Sequence, residues 1–315
     1  MTVGPLPIID IGVYLDPDSS PEQREAVVHA LDSACSDAGF FYLINHGVPQ
    51  KLCDEVRDFG RQFFQLSQEE KYRYKVAGGF RGYKGASDVL GDDPTRHSER
   101  LGFYPPVNHC HNGLAPDMDP DSPIARLPTT RDLLGDQDSW PSDAFRTATE
   151  AYRQHLLRLN GHLFGAIATA LGVSATSQKW MQHPTLSLQF NYYRALAKAE
   201  VEKGNDSSSA SLEIRGHDGK WHRVQPLSGA FVVNIGSMLS LWTGGRYAAT
   251  VHRVVHLSKE PRISVAAFIE PPLDASIAPP PELAAADTSM EKYASKTYYD
   301  YMFAHLEPYL GPRQA

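Results

Sequence analysis

From Pro184 onward the chain changes period. Leu186-Ser187-Leu188-Gln189-Phe190-Asn191-Tyr192-Tyr193 alternates apolar with polar residues, the pattern of a strand with one buried face. Short apolar runs follow at 211–214, 221–224, 230–235, 250–255 and 264–270. Turn formers separate them: His217-Asp218-Gly219, Gly236-Ser237 and Thr243-Gly244-Gly245. Many short strands at even spacing restrict this half to a β-sandwich or barrel.

The first half reads differently. Leu6 to Ile11 is a short apolar strand. Ser20-Pro21-Glu22 has the signature of a helix start, with a capping serine, a proline in the first turn and an acid near the positive end of the dipole. Val27, Val28, Leu31 and Ala34 recur at helical spacing up to Gly39, and Phe40 to Ile44 is a second strand. A second helix carries Val56, Phe59, Phe63 and Phe64. Ser67-Gln68-Glu69-Glu70 then has the spacing of a new capping box. Residues 77–142 are dense in Gly, Pro and Asp and read as long connections over a pocket mouth, with one strand at Arg100 to Tyr104. A long amphipathic helix spans 142–171, bearing Phe145, Tyr152, Leu156, Leu159, Leu163 and Ile167 on one stripe and stopped by Gly172. After Pro279-Pro280-Pro281 a Tyr-rich helix is expected from about Tyr293 to Leu306.

Composition narrows the partners. A formal charge of -7 over 315 residues argues against a nucleic-acid surface, which needs clustered Lys and Arg. No apolar run approaches the roughly 20 residues that span a bilayer, and MTVGPLPIIDIG has no basic stretch before an apolar core. Cys35, Cys53 and Cys110 are scattered without metal or redox spacing, as buried thiols of a reduced compartment are. The expectation is a cytoplasmic protein that binds a small molecule and neither nucleic acid nor membrane. Its oligomeric state is not legible.

Three phrases carry a resemblance. Phe40-Phe41-Tyr42-Leu43-Ile44-Asn45-His46-Gly47-Val48-Pro49 is the first, and its His46 reads as structural. The second is Asn191-Tyr192-Tyr193. The third joins 229–236, Trp242-Thr243-Gly244-Gly245-Arg246-Tyr247, Thr250-Val251-His252-Arg253-Val254 and Arg262-Ile263-Ser264. In this order and spacing the chain resembles the isopenicillin N synthase-like family of iron(II)/2-oxoglutarate-dependent dioxygenases, over about Leu6 to Pro272.

The resemblance implies a mainly β fold with flanking helices: a double-stranded β-helix, or jelly roll, with an N-terminal α/β layer. It divides the chain into an N-terminal non-haem dioxygenase region with lid-like loops (1–141), the oxygenase core with its supporting helix (142–278) and a helical tail (279–315). It also implies Fe(II) and 2-oxoglutarate as cofactors, His252 as a metal ligand, and Asn191, Tyr193, Arg262 and Ser264 at the cosubstrate. The residue types suit these roles. Imidazole ligates iron in a 2-His-1-carboxylate face, and Arg grips a carboxylate with a planar fork that Lys lacks. The activity implied is that of an oxidoreductase of secondary metabolism.

One segment departs from the family. His-x-Asp should follow the Asn-Tyr-Tyr strand, yet the chain runs from Arg194 to Ser211 without a histidine. The shortfall is about one hairpin. His217-Asp218 is adjacent and in a turn, His97-Ser98-Glu99 lies far upstream, and His109-Cys110-His111 sits in a loop without a third ligand. Either iron binding is impaired, or Asp206 or Glu213 re-enters the pocket. The alternatives to an oxygenase are a metal-independent catalyst and a non-catalytic small-molecule-binding protein on the same fold.

Overall fold

A computed structural model of the protein describes residues 6–76, 81–85, 98–104, 138–174, 184–195, 210–272, 275–283 and 296–306. The expectations on His97, His109, Cys110, His111 and Asp206 lie outside these residues.

Strand β1 (Ile8–Asp10) runs parallel to β2 (Phe40–Ile44), with helices α1 (Gly12–Leu15) and α2 (Pro21–Ser36) between them. Helix α2 begins where the capping box places it. Ser20 Oγ accepts from the Gln23 amide (3.3 Å), and the Gln23 side chain accepts from the Ser20 amide (2.8 Å). Gly39 turns the chain into β2 with φ +63°, and a Cβ there would lie 1.8 Å from the Ala248 carbonyl oxygen. Only glycine meets both conditions. Helices α3 (Gln50–Phe64) and α4 (Gln68–Tyr72) follow, the latter capped by Ser67 and Glu70. Strands β3 (Gly82–Lys84) and β4 (Ser98–Phe103) come next.

The long helix α5 (Asp143–Leu171) starts with Ser142 Oγ accepting from the Phe145 amide at 3.1 Å and ends at left-handed Gly172. Six strands then build the second half: β5 (Thr185–Tyr193), β6 (Leu212–Arg215), β7 (Trp221–Val224), β8 (Phe231–Asn234), β9 (His252–Val254) and β10 (Arg262–Glu270). A short helix α6 (Ser237–Trp242) occupies what reads in the sequence as a turn after Ile235. The tail helix α7 spans Tyr298–Leu306, and the expected start near Tyr293 lies outside the described residues. Thr297 Oγ1 and the Asp300 carboxylate exchange bonds with each other's backbone amides, a cap that fixes the first turn there.

The strands lie in three rows, β1-β2-β8, β10-β5-β4-β3 and β7-β6-β9. The jelly roll and N-terminal α/β layer are therefore present, and they are joined, because β2 pairs antiparallel with β8 and β4 with β5. Helix α5 backs the first two rows together. Its Phe145 ring packs on Phe190 of β5 (5.2 Å) and its Tyr152 ring on Phe231 of β8 (6.5 Å), within one continuous core. Yet β8 and β10 are not paired with each other. Among the described residues each keeps one open edge, and so does β9.

Two smaller features complete the frame. Arg246 and Tyr247 both bind Asp32 of α2 (2.6 and 2.8 Å), so the Trp242–Tyr247 phrase is a joint between layers. Cys35 is buried and unpaired, its thiol pushed up to about 12 by burial and then by Asp32, which makes it an inert core residue. No helix among the described residues is long and apolar enough to cross a membrane.

Candidate functional site

Alternation along β5 separates its two faces. Leu186, Leu188, Phe190 and Tyr192 turn toward the helices, where Phe190 meets Phe145 and Tyr192 stacks on Phe64 at 5.2 Å. Gln189, Asn191 and Tyr193 turn the other way. On the neighbouring β10, Arg262 lies opposite Tyr193 and Ser264 opposite Asn191. Directly opposed residues of an antiparallel pair share a face, so these four side chains form one two-by-two group. The Arg262 guanidinium stands 5.0 Å from the centre of the Tyr193 ring, within cation–π range.

Arg262 is the member of this group with a donor to spare. Its terminal NH1 nitrogen is shut off from solvent and has no hydrogen-bond partner among the described residues. A buried, charged donor left unpaired is costly, and a carboxylate is the partner whose geometry a guanidinium fits. Ser264 beside it adds a hydroxyl, and Tyr193 a phenol. This donor set fits the distal carboxylate of 2-oxoglutarate.

His252 sits elsewhere. It faces Ile214 in register on β6 and its ring meets Phe40 edge-on at 5.3 Å. Its Nδ1 lies 3.1 Å from the Thr250 carbonyl, which can only accept, so Nδ1 donates and, in the neutral ring, the lone pair is on Nε2. That is the state of an imidazole ligand. No hydrogen bond, ion pair or ring contact joins His252 to Arg262 among the described residues. Nor do those residues contain any group of three His, Cys, Asp or Glu side chains able to hold a metal. Among the described residues, therefore, no 2-His-1-carboxylate set is assembled around His252.

The candidate substitutes are committed to other work. Glu213 is buried on β6 between two arginines, 2.8 Å from Arg253 and 3.3 Å from Arg223, one residue out of step with the position opposite His252. Its re-entry as a metal ligand is thus corrected: the double ion pair holds it in sheet β7-β6-β9. His217 binds Asp37 at the end of α2 (3.2 Å), while Asp218 accepts from the Lys220 amide and from His222 at 3.0 Å and so closes its hairpin. Glu99 is bound by Lys71 and Tyr83, both at 2.6 Å, on the helix-facing side of β4. His46 accepts from the Val48 amide and stacks on Phe231 at 3.9 Å; burial holds its imidazole below the usual histidine range. It is a structural residue, as read.

A fifth residue near the Arg262 group has no motif to announce it. His256 lies in the turn between β9 and β10 with its ring 6.0 Å from that of Tyr193. The available signal is a second histidine four positions after His252.

Comparisons with known proteins show the family and the fold. Residues 6–124 match the model of the non-haem dioxygenase N-terminal region named for morphine synthesis, and residues 203–271 match the 2OG-Fe(II) oxygenase superfamily. The chain is 31% identical over 312 residues to homoarginine-6-hydroxylase 2-ODD-C23 of Glycine max, covering 87% of this chain and 88% of that protein. It is 29% identical to homoarginine-6-hydroxylase 2-ODD-233 of Oryza sativa subsp. japonica, covering 94% and 95%. Among solved structures, a full-length Neurospora crassa protein in complex with alpha-KG and thymine superposes with a TM-score of 0.75 at 22% identity, covering 98% of each chain. JOX2 in complex with 2OG, Fe and JA superposes with a TM-score of 0.68 at 23% identity, covering 98% and 90%.

Proposed function

This chain belongs to the 2OG-Fe(II) oxygenase superfamily, and we propose that within it Arg262, Ser264, Tyr193 and Asn191 hold 2-oxoglutarate while His252 remains as the surviving metal ligand. The family is one of oxidoreductases acting on small-molecule metabolites, with Fe(II) and 2-oxoglutarate as cofactors. Bound iron supplies the oxygen-activating centre of that chemistry. What this chain's own residues contribute is binding and orientation. Arg262 grips the distal carboxylate in two-pronged fashion, Ser264 adds a hydroxyl donor, and the Tyr193 phenol closes the same wall. His252 is kept in the ligating tautomer by Thr250.

The observation that carries this reading is the buried, unpartnered NH1 of Arg262 beside Tyr193 and Ser264. The region 142–278 bears this chemistry, and 1–141 with 279–315 select the substrate, as loops and tails on a rigid scaffold do. We read the substrate as a small metabolite of the secondary kind, of the order of those handled by the hydroxylase relatives. The protein works in the cytoplasm without nucleic acid or membrane. With one metal ligand in place, a second reading is favoured by a specific observation: a binding protein, or a metal-independent catalyst, that retains the 2-oxoglutarate pocket.

Calorimetric titration tests the pocket. The chain is expected to bind 2-oxoglutarate, and Arg262→Lys, which keeps the charge and loses the fork, is expected to weaken it about tenfold, roughly 1.4 kcal/mol. Equal affinity in the two proteins would remove Arg262 from the site. Titration with iron(II) separates the readings: one tight equivalent restores the ordinary oxygenase, and weak or absent binding supports the impaired one.

A further inference from the structure

In the turn from β9 to β10 one side chain reaches both across the turn and to the neighbouring row. His256 Nε2 lies 2.8 Å from the Glu260 carbonyl oxygen, and His256 Nδ1 lies 2.9 Å from Ser211 Oγ. A carbonyl only accepts, so Nε2 carries the proton. Nδ1 then presents a lone pair and the serine hydroxyl donates to it. The ring is thus a neutral bridge, with its donor on one side of the turn and its acceptor on the other. Burial, and then the positive Arg262 nearby, hold the imidazole below the ordinary histidine range, although the Glu260 carbonyl works in the other direction.

The bridge has a rigid path to Arg262. Glu260, Pro261 and Arg262 are consecutive, and Glu260 is itself turned by Ser258, whose hydroxyl accepts from its amide at 3.1 Å. Proline fixes its own φ and restricts the residue before it. Fixing the Glu260 carbonyl therefore fixes where β10 starts and where its first side chain points. At the other end Ser211 opens β6, and its carbonyl accepts from the Val255 amide at 2.8 Å. His256 consequently joins the row β7-β6-β9 to the start of β10, with its ring against Tyr193, the residue opposite Arg262.

We propose that His256 is a positioning residue for the 2-oxoglutarate pocket: bridging Ser211 and Glu260, it aims Arg262 and backs Tyr193. It does not touch the cosubstrate; it sets the angle at which the guanidinium meets the carboxylate. The inference rests on the reading of that pocket given above. A fork that must match two oxygens loses more from a small misdirection than a point charge would.

The test is 2-oxoglutarate binding by the full-length chain, measured by calorimetry on folded protein, with thermal unfolding recorded alongside. His256→Ala is expected to weaken 2-oxoglutarate about tenfold. His256→Gln, which keeps a donor and an acceptor, is expected to recover most of the loss. Ser211→Ala, which removes one half of the bridge, gives an intermediate loss and serves if His256→Ala fails to fold. In nitrogen-15 spectra the His256 ring should show the neutral Nε2-protonated form. A role confined to stability would lower the unfolding temperature of His256→Ala and leave the affinity of the folded fraction unchanged, which overturns the proposal. Affinity equal to that of the unsubstituted chain in both His256→Gln and Ser211→Ala, with His256→Ala unfolded, overturns it as well. Absence of binding by the unsubstituted chain would instead sink the pocket reading on which it rests.

Discussion

Glu270 closes β10 with its carboxyl enclosed against the Tyr298 phenol of α7, although the residue as a whole keeps some solvent contact. Burial raises its pKa above the usual glutamate value, and the Tyr298 hydrogen bond offsets this only in part. The folded state therefore binds the proton more tightly than the unfolded chain. Stability from this group is whole below the ordinary glutamate range of about 4.3 and declines as pH rises through the folded-state value. Glu270→Gln keeps a polar partner for Tyr298 without the ionisation. Between pH 4 and 8 its urea-unfolding free energy is expected to fall less than that of the parent; parallel pH profiles would show that Glu270 does not ionise differently on folding. At this scale legibility depended on motif. Asn191, Tyr193, Arg262 and Ser264 belong to phrases with a fixed order, and strand register brings them to one face. His256 and Glu270 matter through partners 45 and 28 positions away, Ser211 and Tyr298, which no local pattern in the sequence announces.

Helix α3 lies against the sheet at Gly60, and here two element-level terms oppose each other. Alanine in a helix interior is favoured over glycine by about 1 kcal/mol. A Cβ at position 60 would, however, lie 2.6 Å from Cδ1 of the buried Phe190 ring and 2.7 Å from the terminal Cδ1 of the partly buried Ile263. Overpacking of that kind costs about 1–3 kcal/mol, so packing wins. Gly60→Ala is expected to lower stability by about 1 kcal/mol in denaturant titration, and a stabilised variant would mean that α3 can withdraw from β5 and β10. Local chemistry made the helices readable: Ser20, Ser67 and Ser142 cap where the sequence places them, and Gly172 stops α5. The departures are local too. Helix α6 is six residues, too short for periodicity to show, and α7 begins at a Thr297–Asp300 cap that its tyrosines do not announce. The pairing of β2 with β8 joins residues nearly two hundred positions apart, which strand patterns alone do not encode.

Across the whole molecule the two rows under α5 are interrupted between β8 and β10. A jelly roll has eight strands, and six of the core, β5 to β10, are described, with open edges at β7, β8, β9 and β10 among the described residues. Val232 on β8 and Phe268 on β10 are 39% and 44% exposed, unusual for strands that a closed roll would cover. A hairpin inserted after Tyr193 could offer one strand to bridge β8 to β10 and another to pair with β9. The same hairpin would bring His-x-Asp toward His252. A four-ligand structural zinc site is worth ~10–16 kcal/mol, about 3 kcal/mol per ligand. A site short of two ligands should therefore bind a divalent metal roughly ten-thousandfold more weakly, and iron(II) sits below zinc in intrinsic affinity. Replacing residues 196–209 with two strands of about five residues, a tight turn and an opening His-x-Asp is expected to raise the unfolding temperature and to create one tight iron(II) equivalent. The same insert with alanines at the ligand positions should raise the temperature alone, and His252→Ala in the full graft should abolish the metal. Unchanged stability in both grafts would mean that β8 and β10 are not the flanks of a missing strand. A stabilised graft with loose iron would show that His252 points away from the place where the other two ligands arrive.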